Sequence, residues 1–168
     1  QRTGFLSMLA AVVNFGRMDD YLGELLVGDI KAGRLTEREA TDYIKSLFKL
    51  IEFRKTTVNG RVIVGGKGRK NPETADIFCK LAIQAMRENK DTEPQFTLRI
   101  YDGMDQEVYN AALDAIGEGL TYPILYNDDV NVPAVMNAMQ VEEKIAEQYV
   151  PFGCGEFVIS GKGVGTPN

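Results

Sequence analysis

Apolar residues recur at helical spacing near the start of the chain, at Leu6, Leu9, Ala10 and Val13, and again at Met18, Leu22, Leu25 and Leu26, until Gly28 and Gly33 interrupt them. Both stretches are predicted helices. Thr36 followed by Glu39 has capping-box spacing, in which hydroxyl and carboxylate each satisfy an N–H that the first helical turn leaves free. Behind it, Ala40, Tyr43, Ile44, Leu47, Phe48 and Ile51 draw one apolar face, which predicts a helix over about 36–53. Residues 56–64 are β-rich around Asn59-Gly60, a pair that turns hairpins, and lead into Gly65-Gly66-Lys67-Gly68. Asn71 and Pro72 then supply an N-cap and a first-turn proline. The helix they open carries Ala75, Ile77, Phe78, Leu81, Ala82 and Ala85 and is predicted to end near Glu88.

Farther on, 96–101 reads as a strand, 105–116 as a helix stopped by Gly117 and Gly119, and 123–126 as another strand. Pro133 is predicted to open a short helix through Met139, with a further amphipathic turn or two over 141–149. Pro151-Phe152-Gly153-Cys154-Gly155 is a loop that launches the apolar strand 156–159, and Gly161, Gly163 and Gly165 lead the chain out. Strands separated by helices define an α/β fold, in one unit over 1–168 without repeat or linker. A layered α/β sheet usually has about five strands, covered on both faces. Only about four short ones are visible here, the last running into the Gly-rich segment, so the chain is expected to be part of something larger.

Composition narrows the chemistry. Among 168 residues there is no histidine, which removes serine triads and His-based metal sites, and no metal site is expected. The net charge of −5, with no basic run beyond Lys67, Arg69 and Lys70, argues against nucleic acid as a partner. The apolar stretch 4–13 is too short to span a bilayer and lacks signal-peptide flanks, so no membrane role is expected. Two cysteines without a CxxC or a disulfide framework fit a reducing, cytoplasmic setting.

Four features invite a chemical interpretation. Gly65 to Gly68 precedes a helix, as phosphate loops do, but has neither of the established spacings, and tight turning is the alternative. Asn127, Asp129 and Asn131 alternate like calcium ligands, yet Val132 and Ala138 occupy positions where that loop needs Gly and Glu, leaving a helix N-cap. Cys79 sits on the apolar stripe of its helix and reads as buried and structural. Cys154 differs, because glycine on both sides leaves its sulfur accessible and Glu156 follows two residues on; a plain loop thiol remains the alternative. A carboxylate raises a neighbouring thiol's pKa and histidine is absent, so two-electron nucleophilic catalysis is disfavoured. A thiyl radical needs no thiolate, and a nearby carboxylate can then move the proton that an elimination requires.

These residues bring the chain to a resemblance. Leu35-Thr36-Glu37-Arg38-Glu39-Ala40 before a long helix, Gly65-Gly66 before the next, the strand Leu98-Arg99-Ile100, and GLTYPILYNDD over 119–129 occur in the order found in the glycyl radical enzymes, the pyruvate formate-lyase superfamily. Gly153-Cys154-Gly155-Glu156 is similar to that family's G-C-V-E cysteine loop. The resemblance covers nearly the whole chain.

It implies a fold, a mechanism and partners. The chain would form part of a ten-stranded α/β barrel built from two half-barrels, ending just after the cysteine loop and without the glycyl radical domain. Cys154 would carry the thiyl radical and Glu156 the acid/base role. No cofactor would be bound in this chain; the glycyl radical would lie elsewhere in the full-length enzyme, installed by an iron-sulfur S-adenosylmethionine activating enzyme. A small-molecule substrate, the rest of the barrel and a homodimeric full-length protein complete the expected partners. Gly153 stands where pyruvate formate-lyase proper has a second cysteine, which favours anaerobic dehydration, elimination or decarboxylation of a small polar metabolite over formate acetyl transfer. No R-V-x-G-Y-like segment occurs, so the isolated chain is expected to be inactive. A formate C-acetyltransferase, and a silent fragment with a structural cysteine, are the alternatives.

Overall fold

The computed structural model describes residues 13–54 and 60–159. Strand β1 (Asn14–Arg17) runs directly into helix α1 (Met18–Lys31), and α2 (Glu37–Arg54) follows after a turn. The capping box forms as predicted, with Thr36 N–H donating to Glu39 Oε2 at 2.8 Å and Glu39 N–H to Thr36 Oγ1 at 3.2 Å. Next come β2 (Arg61–Gly65), α3 (Pro72–Asn89), β3 (Gln95–Ile100), α4 (Gln106–Gly117) and β4 (Ile124–Asn127). The Asn71 side chain caps α3, with Pro72 in its first turn, and Asp105 caps α4. The last elements are α5 (Asp128–Met139), a single turn α6 (Glu143–Ala146), and the hairpin strands β5 (Tyr149–Phe152) and β6 (Glu156–Ile159).

Strands β1 to β4 form one parallel sheet whose spatial order is the order of the chain. Consecutive winding with helices on a single side is the construction of a barrel wall, unlike the order reversal of a doubly wound sheet. The alternation of each strand divides the two faces. Val62, Val64, Phe96 and Leu98 point into the main core with Ala40, Ile44 and Phe48 of α2 and Phe78, Cys79 and Ala82 of α3. Phe48 and Phe96 meet edge-on at 6.0 Å. The opposite face carries Arg61, Thr97 and Arg99, and the β5–β6 hairpin lies against it. A small second cluster of Val132, Val135, Ala146, Tyr149 and Ile159 sits beneath that hairpin.

Several expectations change. Residues 61–65 do not form a hairpin arm: β2 is a central strand paired in parallel on both sides, and Asn59 lies outside the described residues. The helix over 6–13 and the terminal glycines also fall outside them, apart from Val13, which is in neither helix nor strand. Pro133 does not open its helix; Asn127 does, its side chain accepting the Asp129 N–H at 2.9 Å, and Pro133 lies within α5. The amphipathic stretch 141–149 gives one helical turn, while Tyr149 enters β5. Tyr43, expected on the buried face of α2, is exposed.

Candidate functional site

The hairpin β5–β6 places Cys154 at its tip. Val150 pairs with Val158 and Phe152 with Glu156, so residues 153–155 make the turn, closed by Gly155 N–H donating to the Phe152 carbonyl at 3.1 Å. Gly155 has φ of +138°, which an L side chain rarely adopts. This explains locally why glycine occupies that position. Cys154 and Glu156 are both exposed, and Glu156 Oε2 accepts the Gly155 N–H at 3.1 Å. The two predicted site residues thus lie at one end of the hairpin, Cys154 in the turn and Glu156 opening β6 with its carboxylate folded back onto the Gly155 backbone.

Behind the turn lies a set of buried groups that sequence reasoning missed. Arg61, on β2, donates from Nη2 to the Gly153 carbonyl and to Gln95 Oε1, both at 2.9 Å, and from Nη1 to Thr97 Oγ1 at 2.9 Å. Its guanidinium also lies 5.9 Å from the centre of the Tyr126 ring, which in turn meets Phe157 edge-on. On the adjacent strand β3, four register positions farther along, Arg99 forms a two-pronged pair with Asp128, Nε to Oδ1 and Nη2 to Oδ2, both at 2.8 Å and both residues 0% exposed. Arg99 stacks on the Tyr149 ring at 4.0 Å, and the Tyr149 hydroxyl donates to Asp128 Oδ1 at 2.8 Å. Burial, ahead of the neighbouring Asp128 charge and against the pull of Arg99, pushes the Tyr149 phenol above its usual range. The available signal was a charged residue at an inward position of a β-rich run, at Arg61 and at Arg99.

In the Gly-rich turn after β2, two of the N–H groups that a phosphate would need are taken by carboxylates of the chain. Asp19 Oδ2 accepts the Gly65 N–H at 2.8 Å and Asp128 Oδ2 accepts the Lys67 N–H at 2.7 Å. Gly66 has φ of +84°, and a Cβ there would lie 2.7 Å from Asp128 Oδ2 and 2.8 Å from Arg99. Glycine is required by close approach as well as by conformation. Cys79 is fully buried and donates to Asp19 Oδ2 at 3.5 Å; burial first, then Asp19, pushes its thiol well above the ordinary value. Burial likewise raises the Asp19 carboxyl, against the opposing Arg69 charge. No group of metal-binding side chains occurs among the described residues, and no helix among them is long and apolar enough to cross a membrane.

A parallel barrel-wall segment carrying a Gly-Cys-Gly-Glu hairpin tip has a counterpart among known families. The pyruvate formate lyase-like family model matches residues 5–167. The chain belongs to that family. This pyruvate formate lyase-like chain is 25% identical to the probable dehydratase YbiW of Escherichia coli strain K12 over 167 residues, covering 89% of this chain and 20% of that protein. It is 24% identical to (2S)-3-sulfopropanediol dehydratase of Klebsiella oxytoca, covering 91% of this chain and 20% of the relative. The chain therefore spans about a fifth of the length of these curated relatives. A glycyl radical enzyme from Archaeoglobus fulgidus superposes with a TM-score of 0.76 at 23% identity, over 90% of this chain and 21% of that one. At that identity the superposition speaks for the fold: the four-stranded parallel sheet has the α/β architecture of part of that enzyme, consistent with a portion of a barrel.

Proposed function

We propose that the chain is the cysteine-loop part, over 1–168, of a glycyl radical enzyme that dehydrates, or otherwise eliminates from, a small polar metabolite. The observation that carries this is the hairpin tip itself, where an accessible Cys154 sits in a three-residue turn against whose Gly155 N–H the Glu156 carboxylate folds back. Relatives named as dehydratases, and Gly153 where a second cysteine would serve acetyl transfer, support the dehydratase or lyase branch.

An exposed thiol on a turn held from behind by Arg61 fits a residue that must be reached by a second loop. The glycyl radical, when present, supplies hydrogen-atom exchange with that thiol. Cys154 as the sulfur-centred radical then takes a hydrogen atom from a substrate C–H, giving S–H and a carbon radical. Glu156 accepts the proton of the hydroxyl on that carbon and passes it to the departing oxygen on the next carbon, which leaves as water. The resulting product radical recovers hydrogen from the Cys154 S–H. Every atom and electron balances, and no oxidant is consumed. The same proposal includes the remainder of the barrel, the loop bearing the glycyl radical, an iron-sulfur S-adenosylmethionine activating enzyme, a homodimer and an anaerobic cytoplasmic setting.

The test uses full-length protein, activated anaerobically, with propane-1,2-diol, glycerol and (2S)-3-sulfopropanediol as substrates. Cys154→Ala is expected to abolish turnover with the glycyl radical signal intact, and Cys79→Ala to spare it. Glu156→Gln is expected to slow turnover on the order of 10²- to 10⁴-fold. Turnover in Cys154→Ala above about a hundredth of wild type refutes the assignment, since that is the scale of losing a merely assisting group.

A further inference from the structure

A strand normally joins a sheet through a backbone ladder, and β5 does not. Among the described residues it pairs only with β6, yet it lies against the face of a sheet to which it has no main-chain ladder. Side chains take the ladder's place. Along the chain, every second carbonyl from 147 to 153 accepts from a side chain of the parallel sheet. The Glu147 carbonyl receives Arg17 Nη1 at 3.1 Å and Arg99 Nη2 at 3.0 Å, and the Tyr149 carbonyl receives Arg99 Nη1 at 2.9 Å. The Pro151 carbonyl receives Asn14 Nδ2 at 2.6 Å, and the Gly153 carbonyl receives Arg61 Nη2 at 2.9 Å. Asn14 and Arg61 are partners in the β1–β2 register, so the last two rungs come from adjacent positions of the sheet.

The chemistry matches the edge it meets. Arginine offers five donors and no acceptor, which suits a row of carbonyls. Pro151 contributes no N–H to that row. A slip of one residue turns every side chain of the strand to the opposite face, exposing Tyr149, and a slip of two moves Cys154 by about 6.6 Å.

We infer that Asn14, Arg17, Arg61 and Arg99 are positioning residues that set the register of β5, with Arg61 at the last rung fixing the turn that presents Cys154. The importance of that placement for turnover rests on the function proposed above; the register lock does not. The ladder also accounts for four buried or half-buried polar side chains on this side of the sheet, a register shift in β1 between Asn14 and Arg17 letting both reach it.

The test is hydrogen exchange, followed by mass spectrometry, on full-length unactivated protein, with N-ethylmaleimide labelling of Cys154 read on its own peptide. Arg61→Met is expected to speed exchange over 149–157 and to change the Cys154 labelling rate, each at least tenfold, leaving peptides of α3 at wild-type rates. Arg61→Lys, which keeps the charge and three donors on a single nitrogen but loses the fork, is expected to recover part of the protection. Exchange that rises equally in α3 makes Arg61 a merely stabilising residue and overturns the proposal, as does unchanged exchange over 149–157. Should Arg61→Met fail to fold, Asn14→Ala removes the neighbouring rung without stranding a charge and is held to the same local criterion. If Cys154→Ala still turns over while Arg61→Met loosens the turn, the catalytic assignment falls and the register lock stands. If Cys154→Ala is dead and exchange is unmoved, the lock alone falls.

Discussion

Asp128→Asn is the sharpest single perturbation of the buried network. The carboxylate accepts four donors: Arg99 Nε and the Tyr149 hydroxyl on Oδ1, and Arg99 Nη2 and the Lys67 N–H on Oδ2, all within 2.7–2.8 Å. Asparagine keeps one acceptor oxygen and turns an NH2 donor toward two other donors, so at most one pair stays satisfied. Arg99, fully buried, then loses its counter-charge. Removing one partner of such a pair costs about 3–5 kcal/mol, against about 5–15 kcal/mol for the whole stability of a typical domain. Tyr149→Phe removes one donor and leaves Oδ1 bonded to Arg99, at about 1 kcal/mol. Urea unfolding of each variant, followed by circular dichroism with the slope m held comparable to wild type, gives the two differences. Asp128→Asn is expected to exceed Tyr149→Phe by about 2 kcal/mol or more. Equal costs would show that Asp128 is solvated and that the ion pair does not hold the hairpin to the sheet.

Three further outcomes are expected. Gly66→Ala drives a methyl against the Arg99–Asp128 pair at a positive φ, and is expected to lower the melting temperature more than Gly103→Ala, where φ is also positive but no atom lies within 4 Å. Glu88, whose carboxyl is lowered to about 2 by Lys45 first and then by Gln84 and Arg38, contributes stability that is present above pH 4.5 and lost as pH falls toward 2. Acid titration of Glu88→Gln is therefore expected to show a shallower loss across that window, and an identical acid limb would contradict it. In the native chain, iodoacetamide is expected to modify Cys154 and to reach Cys79 only after denaturant is added, as counted by intact mass.

What the sequence disclosed was local. The Thr36–Glu39 box, the Asn71-Pro72 start and the Asn127 cap each complete their hydrogen bonds within a few residues, so their spacing alone carries the information. The Gly-Cys-Gly-Glu turn was legible for the same reason. Strand β1 was not, since four residues containing Asn14 and Gly16 have no periodicity and owe their pairing to Arg61 and Ile63. Strand β5 was hidden by Pro151, whose missing N–H is harmless on an edge met by side-chain donors. Arg61 and Arg99 looked like ordinary strand charges because the carbonyls that bury them lie 48 to 92 residues downstream.

The arginine-bearing face also bears on how the chain can fold while it is being made. During synthesis the four parallel strands emerge before Tyr149, and each contacts mainly its immediate predecessor. For that interval the sheet has no hairpin over its second face. Were that face apolar, the nascent half would present a sticky slab to neighbouring chains on the ribosome. Guanidinium groups can hold water until residues 147–153 arrive to displace it, so the uncovered segment is expected to resist aggregation until the cysteine-bearing strand has been delivered.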